Sequence, residues 1–227
     1  MVAIDINAFA EANWSGYKKS VTDISKAKHS SLIEDETELY CFDDISNSLY
    51  SGSNKPSSAD ALIIDGKTIQ LVEFKSGFKN KITRENFKES EGKCLKLGTT
   101  CEDYWKLFWA NRKKEINELT LIIRMKAIES YITLEKKIFQ GCRPFDQAFR
   151  LQFCVVIDED SVDGMEETLA ELSGRSETTG NPYASIKASL KRYINCRDCS
   201  GTPYFYDEVK VLSVTDFENY LRLKYEK

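Results

Sequence analysis

The sequence predicts an α/β protein whose core runs helix, strand, strand, strand, helix, strand, the order αβββαβ. Three observations carry this. Two apolar runs flank Asp65-Gly66 between Asp60 and Lys75, which is the signature of a β-hairpin. Leu151 to Ile157 is an unbroken apolar, β-branched run of the kind found in buried strands. Between them, Leu121, Met125, Ile128, Ile132 and Phe139 recur at helical spacing. A length of 227 residues suffices for one sizeable core, and the reading is a single domain over residues 1–227 with a helical insertion at 76–119.

The elements follow in order. Lys18 to about Ile33 is predicted as the first helix, burying Val21, Ile24 and Leu32. Glu38 to Ile45 is the first strand, since Leu-Tyr-Cys-Phe favours extended backbone. Ser46 to Ala59, rich in Ser, Asn, Gly and Pro, is a loop. After the hairpin, the insertion holds helices near Thr83–Lys96 and Glu102–Lys114, followed by the long amphipathic helix. A helix over Asp163–Leu172, another over Ser185–Ile194, a strand over Val209–Val214 and a closing helix Asp216–Lys224 capped by Thr215 complete the chain.

The hairpin carries the chemistry. With Asp65 and Gly66 as a two-residue loop, Ile64 faces Lys67 and Asp60 lies across from Leu71. Glu73 is then the diagonal neighbour of Asp60, about 7–8 Å away at Cα. Side chains alternate along a strand, so Asp60, Glu73 and Lys75 share one face. A three-residue loop would send Asp60 to the opposite face. Two carboxylates with a backbone carbonyl and waters suit Mg²⁺ or Mn²⁺. Such an ion supplies hydroxide near neutral pH and offsets charge on a phosphoryl group, and Lys75 could orient the attacking water. Glu-x-Lys alone is common at strand ends and then denotes a solvated pair. Its shared face with Asp60, between two strongly apolar strands, favours the metal site.

At Asp60, Glu73 and Lys75 the chain resembles the PD-(D/E)XK nuclease superfamily, whose motif is an acid opening the second core strand and acid-x-Lys in the third. Ala59 stands where that motif usually has proline. The resemblance covers about residues 34–78 and implies a restriction-endonuclease-like αβββαβ core, a mixed central sheet flanked by helices. It implies a metal-dependent nuclease acting on DNA, with Asp60, Glu73 and the Phe74 carbonyl holding Mg²⁺ or Mn²⁺ and Lys75 assisting water. An endonuclease of phage defence, restriction or repair is the expected role; a catalytically silent module of the same fold and an RNA-directed nuclease are the alternatives. Members of the superfamily often add an acid from the first helix, for which Glu34 is the first candidate and Asp43 the second. Lys126 and Glu129 lie where related folds place a supporting residue, but the helix face is open and they stay outside the expected site.

A net charge of −4 argues against strong non-specific nucleic-acid affinity, although basic residues cluster locally. Lys79, Lys81 and Arg84, just past the motif, are the expected phosphate contacts. Arg112–Lys114 and Lys187, Lys191 and Arg192 read equally well as solvated faces. Tyr104, Trp105, Phe108 and Trp109 read as a packing or dimer surface ahead of a base-stacking one. A homodimer is one expectation, since double-strand cutting by a small nuclease calls for two active sites. Seven cysteines in mixed contexts point to reduced thiols; Cys196 and Cys199 form the only close pair, two ligands short of a zinc site. The single histidine, His29, removes most His-dependent catalytic schemes. Composition, 41% hydrophobic and 30% charged with no apolar run of membrane-spanning length, leads to an expected cytoplasmic location and no membrane partner.

Overall fold

Asp5 accepts a hydrogen bond from the Asn7 backbone N–H and so starts α1 (Ile6–Trp14), whose Ile6, Ala10 and Trp14 recur every four residues and are buried. In the computed structural model of the chain, residues 5–27, 30–76, 101–139, 150–158 and 182–225 are described. The predicted helix over Lys18–Ile33 is replaced by β1 (Lys18–Ser20), the one-turn helix α2 (Val21–Ile24) and two short paired strands, β2 (Lys26–Ala27) and β3 (Ser30–Ser31). Ser25 is the reason the helix stops. It is buried, and its hydroxyl both donates to the Ile33 carbonyl and accepts from the Ile33 N–H, folding the chain back.

The strand predicted over Glu38–Ile45 is shorter, β4 (Glu38–Cys41), and gives way to α3 (Phe42–Ser48). Asp43 and Asp44 lie in the first turn of α3, where the helix dipole favours acids. The hairpin strands are β5 (Ala61–Asp65) and β6 (Thr68–Lys75). A single long helix, α4 (Cys101–Thr133), runs on into one π-helical turn at Leu134–Ile138. Then come β7 (Arg150–Ile157), α5 (Pro182–Tyr193), β8 (Glu208–Ser213) and α6 (Val214–Tyr225). Ser213, not Thr215, caps α6: its hydroxyl accepts from the Asp216 N–H and donates to the Asp216 carboxylate. The predicted helices at Thr83–Lys96 and Asp163–Leu172 lie outside the described residues.

Six strands form one mixed sheet in the order β1-β4-β5-β6-β7-β8, antiparallel through β6 and parallel from β6 to β8. Helices cover both faces. On one, Leu62, Ile69, Leu71, Phe153 and Val155 pack against Ile123, Ala127 and Leu134 of the α4 segment, with α1 and α5 beside them. On the other, Ile63, Val72, Phe74 and Val156 meet Phe217 and Leu221 of α6 and Val21 and Ile33 from the N-terminal region. Among the described residues no helix is long and apolar enough to cross a membrane.

The hairpin register differs from the predicted one by two residues. Asp65 pairs with Thr68 and Ala61 with Val72, so the loop is Gly66-Lys67. Gly66 has φ of 54°, and both favoured two-residue loops need positive φ at the first loop position, which draws glycine there and leaves Asp65 in the strand. A shift of two preserves which face each side chain occupies. Just before the first pair, the Asp60 N–H donates to the Val72 carbonyl at 3.0 Å, which sets Asp60 beside the end of β6 where Glu73 lies.

The long helix was expected to bury the stripe Leu121, Met125, Ile128 and Ile132. Instead Leu121, Met125 and Ile132 are 48%, 47% and 44% exposed, while Ile123, Ala127, Ser130, Tyr131 and Leu134 are buried. The sheet side carries Ala127 and Ser130 among larger apolar residues, and the Tyr206 hydroxyl donates to the Ala127 carbonyl at 2.7 Å. Chemical denaturation tests which face is buried. Ile123→Ala is expected to cost about 2–5 kcal/mol of stability, whereas Met125→Ala should stay within about 0.5 kcal/mol of the parent.

A candidate cation site at the end of the hairpin

Asp60 enters β5 on a bend, and Glu73 lies two residues before the end of β6. The two carboxylates converge on the face covered by α4, where the ammonium of Lys126 bridges them, 3.1 Å from Asp60 Oδ1 and 2.9 Å from Glu73 Oε2. Asp60 is held from its other oxygen, since Oδ2 accepts the Phe74 backbone N–H at 2.7 Å. A strand residue directs its N–H and C=O to the same side, so the Phe74 carbonyl also faces the Asp60 edge. Lys75 is half-buried on the same face as Glu73.

Glu73 is fully buried. Burial, reinforced by the nearby charge of Asp60, pushes its carboxyl up to about 8; Lys126 and, more weakly, Lys75 pull the other way. Burial alone would lower the Lys126 ammonium, but Glu73 and then Asp60 hold it above its ordinary range. One oxygen, Glu73 Oε1, has no hydrogen-bond partner although it is buried. Two hard carboxylates, an adjacent backbone carbonyl and an unpartnered buried oxygen fit a small divalent ion, which commonly takes one or two carboxylates and keeps several waters. Among the described residues no cluster of three or more His, Cys, Asp or Glu side chains is placed to hold a metal, and Cys196 and Cys199 belong to no such cluster.

The segment leading into Asp60 is clamped from two sides. From α4, the Glu129 carboxylate accepts the Ser57 backbone N–H at 2.5 Å and its hydroxyl, and Ser130 Oγ accepts the Ala59 N–H at 2.7 Å. From α3, Asp43 accepts the Ser58 hydroxyl at 2.5 Å, and the Phe42 N–H donates to the Asp60 carbonyl at 3.0 Å. Lys126, Glu129 and Ser130 occupy one helical face at spacings of three and four. That face is the one turned to the hairpin end.

Of the expected site residues, the structure brings together Asp60, Glu73 and the Phe74 backbone, with Lys75 alongside. Glu34 is not among them. It is exposed in the coil after β3, at no helix end, and its neighbour Ile33 packs on the opposite face of the sheet. Asp43, the second candidate, supports the segment before Asp60. Lys79, Lys81 and Arg84 lie outside the described residues, as does His29. Tyr104, Trp105, Phe108 and Trp109 fall on the first turns of α4. Sequence reasoning left out Lys126, Glu129 and Ser130, yet their polar spacing within an otherwise apolar stretch was visible. Comparison with family models, with curated proteins and with solved structures gives no match to this chain.

Two measurements follow from this geometry. Ser130→Ala leaves the buried Ala59 N–H without an acceptor and is expected to cost about 1–3 kcal/mol in denaturant titration. Glu73 binds its proton more tightly when folded than at the ordinary value of 4.5. The folded state therefore holds more protons than the unfolded one between that value and about 8, so stability in chelator should fall as pH rises through this window. In Glu73→Gln that slope should disappear, as read by thermal unfolding from pH 5 to 8.5.

Proposed function

We propose that the chain is a Mg²⁺- or Mn²⁺-dependent nuclease that hydrolyses phosphodiester bonds in DNA. The observation that carries this reading is the convergence of Asp60 and Glu73, with one buried carboxylate oxygen unpartnered, beside Lys75. Burying Glu73 against a second, half-buried acid is costly, and a purely structural pair has no reason to leave the buried oxygen without a partner. We read the three antiparallel strands β4, β5 and β6, followed by α4 and the parallel β7, as a restriction-endonuclease-like core. In that reading the acids sit at the usual strand positions.

A bound Mg²⁺ or Mn²⁺, held by Asp60, Glu73 and the Phe74 carbonyl, would supply hydroxide near neutral pH and charge neutralisation at the scissile phosphoryl group. The Phe74 N–H fixes the orientation of Asp60 by occupying Oδ2. Lys75 orients the attacking water and donates toward the charge that builds on the phosphate oxygens. Glu129, Ser130 and Asp43 hold the entering segment, so that Asp60 meets Glu73 without searching rotamers.

A catalytically silent module is favoured by one feature: Lys126 already bridges both acids without an added ion. Cleavage assays with Mg²⁺ or Mn²⁺ on supercoiled plasmid, linear duplex, single strands and RNA separate the readings. Metal-dependent cutting of DNA, abolished by EDTA and reduced about 10²–10⁴-fold in Lys75→Ala, is the expected result. Asp60→Asn and Glu73→Gln should lose at least as much. Cutting of RNA alone would move the substrate; a Lys75→Ala chain as fast as the parent would overturn the mechanism.

A further inference from the structure

We infer that Lys126 is a resident cation that occupies the carboxylate pair in the metal-free chain and is displaced when a divalent ion binds, so that it sets the affinity of the site for that ion. The inference rests on reading the pair as a divalent-cation site, but not on which polymer is cut or whether one is cut at all.

The geometry makes the two cations exclusive. An ion held by the oxygens that now hold the ammonium would lie between Asp60 Oδ1 and Glu73 Oε2, about 2.0–2.1 Å from each for Mg²⁺. The Lys126 ammonium stands 3.1 Å and 2.9 Å from those same atoms. A second positive charge cannot be seated there without strong repulsion at short range in a poorly solvated setting.

The site is also arranged for exchange. Asp60 cannot swing away with the lysine, because its Oδ2 is tied to the Phe74 N–H at 2.7 Å. Glu73 offers Oε1, buried and unpartnered, as a first point of capture while Oε2 still holds the ammonium. The Lys126 side chain is 23% exposed and carries its charge on a flexible four-carbon stem, so it has a route to solvent without movement of α4. Charge balance favours the exchange. Two carboxylates with one ammonium carry a net negative charge, which a divalent ion cancels. The released ammonium then stays within a side-chain length of the acids, where it can meet an anionic oxygen of an incoming phosphate.

Calorimetric titration of MnCl₂ into the parent chain, Lys126→Gln and Lys126→Arg tests the inference, with thermal unfolding in EDTA run alongside. Lys126→Gln should bind Mn²⁺ at least about tenfold more tightly than the parent. It should melt at a lower temperature in EDTA and recover with Mn²⁺. Lys126→Arg keeps the competing charge and should stay close to the parent in affinity. In the parent, labelled at lysine Nζ and Cε and assigned through the Lys126→Arg spectrum, the Lys126 resonances should move as Mg²⁺ is added. This reading holds even where Lys126→Gln does not fold. Equal or weaker Mn²⁺ binding by folded Lys126→Gln, unmoved Lys126 resonances at saturating Mg²⁺, or no binding by any chain would overturn it. Tighter binding by Lys126→Gln with no nucleic acid cut by the parent leaves the lysine's role standing and removes the nuclease reading.

Discussion

Full burial of the Glu73 carboxylate is the constraint to which the surrounding structure answers. A carboxylate out of water is expensive unless it is paired, and its pairing here comes from a helix more than fifty residues away in sequence. Lys126 reaches it from the face of α4 turned to the hairpin end. Ser130 and Glu129 hold that face in place by their hydrogen bonds to the segment entering the hairpin. The sheet supplies the other half. β6 is paired along its whole length with β7, Glu73 lying beside Val155, so Glu73 cannot retreat to solvent without breaking that ladder.

The balance of charge gives the arrangement a functional direction. One ammonium does not neutralise two acids, and one acidic oxygen stays unpartnered. A structural ion pair would be more stable with its last oxygen satisfied, or with the whole group replaced by apolar side chains of similar volume. Retaining an incomplete acidic pair, one member of it fully buried, beside Lys75 at a strand end makes sense where an exchangeable cation completes it. The clamp on residues 57–59 fits the same purpose, because a site that must bind with correct geometry needs its first ligand positioned before the ion arrives.

Much of this was legible in the sequence, and the places where it was not have physical causes. The shared face of Asp60 and Glu73 survives a wrong loop assignment, since moving the loop by one residue shifts the pairing by two and leaves alternation intact. The buried face of the long helix was misread because hydrophobicity pointed to Leu121, Met125 and Ile132. The face that packs on the sheet carries Ile123, Ala127 and Tyr131 instead. Lys126 and Glu129, though noticed, cannot be assigned to the site until that face is known. At the N-terminus, Val21 is buried and Leu32 and Ile24 pack against the core as expected, but local bonding by Ser25 breaks the predicted helix. With that helix gone, Glu34 has no helix end from which to reach the acids.

On the proposed reading, Asp60 and Glu73 form a seat for a hard divalent ion. Anomalous diffraction from crystals soaked in MnCl₂ tests it most directly. The expected result is a manganese peak between Asp60 Oδ1 and Glu73, within about 2.0–2.3 Å of each carboxylate and near the Phe74 carbonyl, with the Lys126 ammonium moved aside. A lysine still bridging both acids at saturating manganese, with no anomalous peak beside it, would contradict it.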